Sequence, residues 1–157
     1  MTMEEKRAKK RWVPLPPTYF WSAVVLMVAV HVLAPVRQLI TGPYRFLGAV
    51  LVAGGFWFNL WADLAFKRVK TAVKPFEESS ALITSGLFTI TRNPMYVGMV
   101  FTLAGLFVAL GSLTPVFVIP VFAVVMLVRF IIPEERHLEQ QFGEAYRDYR
   151  KRARRWL

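Results

Sequence analysis

The sequence contains no cysteine, which excludes disulfide bonds, thiol nucleophiles and cysteine-ligated metal sites together. Histidine is nearly as scarce. His31 and His137 are the only two, too few for a histidine-built metal centre, and no metal is expected. Acidic residues number 10 against 20 lysines and arginines, a formal net charge of +10. On a water-soluble protein that excess would point first to nucleic acid. Charged residues, however, make up only 19% of the 157 positions and hydrophobic ones 55%, with a mean hydropathy of +0.41, beyond ordinary soluble usage. The basic residues gather at both ends and in one middle stretch between long apolar runs, the pattern of cationic flanks around membrane spans, so no nucleic-acid partner is expected. Phosphate-loop and dinucleotide glycine patterns, a serine-histidine-acid set and zinc spacing are also missing, which excludes a soluble-type cofactor fold.

What is present is a chain of about four apolar stretches, residues 18–36, 44–66, 95–110 and 113–132, each near the roughly 17–25 residues that cross a bilayer. The expected fold is therefore an all-α integral membrane protein, a single domain over 1–157 with a basic N-terminus (1–17) and a tail (133–157). The third stretch is short and is separated from the fourth only by Gly111 and Ser112, which predicts a tight helical hairpin with an uncharged tip. A cleaved signal peptide is the competing reading of the first stretch, since Lys6, Arg7, Lys9, Lys10 and Arg11 precede it, but no small-residue cleavage pattern follows.

Lysines and arginines number five before the first stretch, two in the first loop (Arg37, Arg45), five in the second (Lys67, Arg68, Lys70, Lys74, Arg92), none at the hairpin tip and seven after Pro133. That alternation predicts four spans with both termini cytoplasmic, in an inner, cytoplasmic membrane. The second loop carries Lys74-Pro75, two glutamates, Ser79-Ser80 and Ser85-Gly86, all turn or cap formers. Beyond Pro133, Leu138, Phe142, Ala145 or Tyr146, Tyr149, Ala153 and Trp156 recur at helical spacing with charges between them. They predict one amphipathic helix lying on the membrane face or folding back over the bundle.

Two polar clusters fall at the same end of the hairpin: Thr89, Thr91, Arg92, Asn93 and Tyr96 entering the third stretch, and Glu134, Glu135, Arg136 and His137 leaving the fourth. An antiparallel pair with a two-residue tip brings them within about 10 Å of each other. An arginine, an amide and a phenol then face two carboxylates, a set able to hold a zwitterion. Each member also has a structural reading: Arg92 as a cationic flank, Tyr96 as an interfacial aromatic, and the glutamates as the acidic first turn of the tail helix. Within the stretches His31, Asn59 and Arg129 are polar exceptions of the kind that face a bundle interior. His31 reads as an interhelical donor, and Asn59 with Asp63, four apart, as one helix face toward the cleft, in packing or in ligand contact.

The run SGLFTITRNPMYVG (85–98), an apolar hairpin, and EERHLEQQFGEAYRDYRKRARRWL (134–157) together resemble the isoprenylcysteine carboxyl methyltransferase group and its phospholipid-methyltransferase relatives. The likeness covers the last half of the chain. It rests on the order of parts: arginine, Asn-Pro-x-Tyr-x-Gly, hairpin, paired glutamates, Phe-Gly and spaced tyrosines. Many members carry Arg-His-Pro where this chain has Arg92-Asn93-Pro94, so no imidazole role transfers to Asn93. The resemblance implies a membrane enzyme that transfers methyl from S-adenosyl-L-methionine, leaving S-adenosyl-L-homocysteine, to a lipophilic acceptor entering from the bilayer, such as an isoprenylcysteine-like carboxylate.

Under the same resemblance Glu135, with Glu134 behind it, pairs with the cofactor ammonium. Arg92 and Asn93 hold its carboxylate or the acceptor, and Tyr96 lines the transfer channel. Pro94 starts the span, Gly98 permits close approach, and Phe142, Tyr146 and Tyr149 cover the adenine. Arg154, Arg155 and Trp156 read first as an interface anchor and second as contributors to the site. Two other classes stay open, an NADPH-dependent membrane reductase of the sterol-reductase kind and a non-catalytic membrane subunit.

Overall fold

Pro16 and Pro17 open the first helix, where a missing amide hydrogen costs nothing because the first turn has no intrahelical acceptor for it. The computed structural model describes residues 14–69 and 81–157. The basic run at 6–11, Lys70, Lys74-Pro75, the two glutamates and Ser79-Ser80 lie outside the described residues. Helix α1 is Pro16–Leu33, and α2 is Phe46–Val69, entered through a 3-10 turn at Gly42–Arg45. A second 3-10 turn at Gly86–Thr89 leads to α3, Pro94–Leu110. A turn at Thr114–Phe117 opens α4, Val118–Met126, followed by a π turn at Leu127–Ile131, then α5, Ile132–Phe142, and α6, Glu144–Arg152. Among the described residues there is no strand, only two isolated bridges, Gln38 with Ser112 and Thr91 with Arg154.

Among the described residues, three helical runs are long and apolar enough to cross a bilayer: Pro16–Leu33, Gly42–Val69 and Thr114–Phe142. The expected fourth, α3, has 17 residues, about 26 Å at 1.5 Å per residue against a hydrocarbon core of about 30 Å. The boundaries also differ from those expected. α1 stops at Leu33 because the chain turns off toward the hairpin tip, and α2 continues past Phe66 to Val69.

The tightest helix pair is α2 with α3 rather than the expected hairpin of α3 and α4, and the reason is glycine. Gly48 and Gly55 on α2 meet Gly105 and Gly98 on the antiparallel α3. A Cβ at Gly55 would lie 2.5 Å from Gly98 O, and one at Gly105 would lie 2.6 Å from Gly48 O, so the two backbones touch. In lipid, where burial of apolar surface gives no drive between helices, such close packing is a main source of association. The remaining core forms where α1, α3 and α4 converge on Met27, Leu103, Met126, Phe130 and Ile131, all but wholly enclosed.

At the end away from the polar clusters, the segment after α1 clasps the hairpin tip. Leu39 N–H donates to Gly111 O at 2.7 Å and Leu113 N–H to Arg37 O at 2.9 Å. Arg45 Nη2 donates to Leu110 O at 2.6 Å. Gly111 has φ +77°, and a Cβ there would press on Ile40 O. His31 Nδ1 lies 2.7 Å from Ser112 Oγ, so it joins α1 to the hairpin tip instead of to another helix.

The tail departs from its sequence reading. Instead of one helix starting beyond Pro133, the helix runs unbroken from Thr114 to Phe142. Proline is tolerated inside it because the π turn precedes it: Ile132 N–H reaches back five residues to Leu127 O, widening the coil just before a residue that would clash with a regular helix. The break falls at Gly143 (φ +53°), and α6 ends at Arg152, so Ala153 is extended and Trp156 leaves the helical register. Arg129, expected to face the bundle interior, is exposed on the π turn.

Candidate functional site

The stretch before α3 and the end of the chain are joined by main chain. Arg92 N–H donates to Arg154 O at 2.8 Å, and Arg154 N–H to Ile90 O at 3.1 Å. Side chains reinforce the seam: Asn93 Nδ2 donates to Arg155 O at 3.0 Å and Thr91 Oγ1 to the same oxygen at 3.3 Å. Buried beside it, Tyr149 Oη donates to Phe88 O at 2.8 Å. The tail thus folds back over the bundle and places α6 against the 3-10 turn and the end of α2, where Tyr146, Tyr149, Phe88 and Ile83 form a second core.

Under this cover, Arg92 and Glu135 meet. Arg92 Nη2 donates to Glu135 Oε1 at 2.9 Å, with only 8% and 10% of the two side chains exposed. Arg92 Nη1 also donates to the carbonyls of Arg150 and Ala153 at 3.0 and 3.2 Å. Arg155 takes Glu135 side-on, Nε to Oε1 at 3.0 Å and Nη2 to Oε2 at 2.8 Å. Pairing with Glu135 raises the pKa of Arg155, so its guanidinium stays charged. Glu134 has a different environment: Tyr96 Oη donates to its Oε2 at a long 3.5 Å.

Two adjoining cavities meet at this cluster and share Arg92, Asn93, Glu134, Phe66 and Phe88. The first, about 170 Å³, is largely apolar and opens between the start of α1 (Leu15, Pro16) and the start of α3 (Met95, Met99), with Tyr96 in its wall. The second, about 50 Å³, lies under α6 and is lined by Glu135, Leu138, Tyr146 and Tyr149 as well. Among the described residues, two donors here are buried without a partner, Arg92 Nε beside both cavities and Tyr146 Oη beside the second. Burial, aided by the charge of Glu135, pushes the Tyr146 phenol up to about 12, so it remains a protonated donor throughout the physiological range. Unsatisfied buried donors beside a cavity are what a ligand with acceptor oxygens would complete.

Of the residues singled out in the sequence, Arg92, Asn93, Pro94, Tyr96, Glu134, Glu135 and Tyr146 line one or both cavities. Gly98 does not: it faces Gly55 and Asn59 in the α2–α3 contact. Phe142 packs on the second core without reaching either cavity. Asn59 donates to Gly55 O of its own helix at 2.9 Å, and Asp63 pairs with Lys67 at 2.6 Å, so neither enters the cleft. Among the described residues, no group of three or more metal-ligating side chains converges. Phe66, Phe88 and the grip of Arg155 on Glu135 were not expected from the sequence. For Arg155 the only signal was an arginine pair next to a tryptophan, which reads equally well as an interface anchor.

The sequence profile of the phospholipid methyltransferase family matches residues 43–145, well over half of the chain. The chain belongs to that family. Comparison with curated proteins and with solved structures gives no match. The match to this methyltransferase family runs from the turn before α2 into the first turn of α6. It therefore contains the Arg92, Asn93, Tyr96, Glu134 and Glu135 cluster, while α1, Tyr146 and the Arg155 seam lie beyond it.

Proposed function

We propose that this protein transfers a methyl group from S-adenosylmethionine to a lipophilic acceptor that enters from the bilayer. One observation carries the proposal: among the described residues lining the cavities two buried donors lack partners, Arg92 Nε on a side chain bordering both cavities and Tyr146 Oη in the wall of the second. The donor set fits the amino-acid end of the cofactor. Arg92, Asn93 and Tyr146 offer donors to its carboxylate, and Glu134, which borders both cavities, offers the acceptor for its ammonium. Glu135 already accepts three bonds from two guanidiniums, so in this reading it fixes Arg92. When bound, the cofactor supplies an activated methyl on a sulfonium that becomes a neutral thioether. The protein holds the acceptor in line and keeps water out through the cover of α6.

Leu15, Pro16, Met95 and Met99 give the first cavity the walls an apolar chain requires, and Tyr96 with Glu134 stands where its reacting group would arrive. An isoprenylcysteine-like carboxylate needs no base, since it is ionised at neutral pH. A phospholipid amine is the second reading, favoured by the carboxylate of Glu134 on the acceptor side, which is placed to receive the proton that an ammonium must lose. Radiolabelled methyl transfer into prenylcysteine, fatty acid, phospholipid amine and thiol acceptors decides between them. Activity confined to water-soluble acceptors would sink the proposal.

Calorimetry with S-adenosylhomocysteine tests the cofactor site. Glu134→Gln is expected to weaken binding about tenfold or more, as loss of a charged hydrogen bond does. A wild-type protein that binds NADPH, or neither ligand, would remove the cofactor assignment.

The orientation proposed is with the site end and both termini cytoplasmic, from the alternating Lys/Arg counts. Reporter fusions after Leu157 and within residues 38–43 are expected to report opposite sides of the membrane. Signals on the same side would contradict it.

A further inference from the structure

Arg155 lies beyond α6, in the extended end of the chain, and lines neither cavity. Its guanidinium nevertheless engages both oxygens of Glu135, at 3.0 and 2.8 Å. Glu135 Oε1 accepts one more bond, from Arg92 Nη2 at 2.9 Å. Arg92 Nη1 is bound to two main-chain carbonyls, which leaves Nε as the orphaned donor of a side chain that borders both cavities. A carboxylate prefers two parallel bonds from one planar fork. Released from Arg155, Glu135 would take Arg92 in that way, through Nε and Nη2 together, and the free donor would be lost.

We infer that Arg155 is a positioning residue: by occupying Glu135 side-on, it keeps that carboxylate from capturing Arg92 Nε and so holds Nε ready for a ligand in the shared cavity. The ligand half of the inference rests on the cofactor reading above, and the geometric half does not. A tail clasp that acted only mechanically would not need the fork, because the seam at Arg92 and Arg154 is made by main-chain atoms.

The test uses the full chain in a membrane mimetic with Arg155→Ala and Arg155→Lys, read in two ways. Without ligand, the Nε–H resonance of Arg92, assigned by its disappearance in Arg92→Lys, is expected to shift in Arg155→Ala. The main-chain amides of Arg92 and Arg154 are expected to keep their slow exchange. Arg155→Lys is expected to give an intermediate shift, since an ammonium holds one oxygen at a time. With S-adenosylhomocysteine, Arg155→Ala is expected to bind about tenfold more weakly. In a Glu135→Gln background, where a neutral amide does not compete for Arg92, removing Arg155 is expected to change nothing further.

An unmoved Nε resonance overturns the inference whatever the protein binds. So does loss of the main-chain amide protection, which would make Arg155 a clasp, and so does a full second loss of affinity in the Glu135→Gln background. A resonance that moves in a protein that binds no S-adenosylhomocysteine supports the positioning role and removes the cofactor reading instead.

Discussion

Arg92→Ala is expected to lower cofactor affinity and methyl transfer together by about a hundredfold or more. Loss of a charged hydrogen bond to the cofactor carboxylate costs about 1.5–3 kcal/mol, and Arg92 also holds the cover of the site in place. Its side chain ties Glu135 to the carbonyls of Arg150 and Ala153, and its main chain ties α3 to the tail. Arg92→Lys keeps the charge but not the planar fork, so it is expected to retain the fold and lose about tenfold in affinity. Initial rates and calorimetry on detergent-solubilised protein check both variants. Wild-type turnover in Arg92→Ala would mean that the reacting groups meet elsewhere.

The second large effect is on folding. Gly55→Leu inserts a side chain where backbone meets backbone, with Gly98 O only 2.5 Å from the first added carbon. Overpacking an ordinary core costs about 1–3 kcal/mol, and here the added carbon meets, besides the Thr102 hydroxyl, the backbone at Gly98 O and Thr102 N, which cannot swing aside, so the loss is expected to reach the upper end or exceed it. Gly54→Leu, one residue away with nothing within 4 Å, is expected to stay within about 0.5 kcal/mol of wild type. Thermal unfolding in one detergent compares them directly. Equal midpoints would show that α2 and α3 are not in backbone contact.

The division between what the sequence disclosed and what it hid follows from range. Apolar run length is a local property, so the helices are legible in it, although α1 ends three residues before its expected limit, where the clasp on the hairpin tip begins. A two-residue tip fixes what lies opposite what, so the meeting of Arg92 with Glu135 was legible too. The π turn left no trace in hydropathy, since Leu127–Ile131 is as apolar as its neighbours apart from Arg129. Gly98 was read as a ligand-facing glycine because spacing along one helix does not say which neighbour it meets. Tyr146 was found from the tail's periodicity. Arg155 was not, because its partner lies 20 residues upstream, across a glycine break and an extended stretch.

The π turn also makes the helix a counter. Five residues there do the winding of about four, and an added residue in a regular helix rotates everything beyond it by about 100°. Glu134 and Glu135 therefore owe their bearing to a residue count inside the apolar wall and not to any bond that wall makes with them. Deleting one residue between 127 and 131 would restore regular winding with little change in that bearing but press the Pro133 ring on the preceding turn, whereas deleting two would swing the carboxylates about 100° away from Arg92 and Tyr96. Val128, 58% exposed to the lipid side, would accept many apolar replacements without consequence. The wall of the bundle is thus permissive in composition and strict in length.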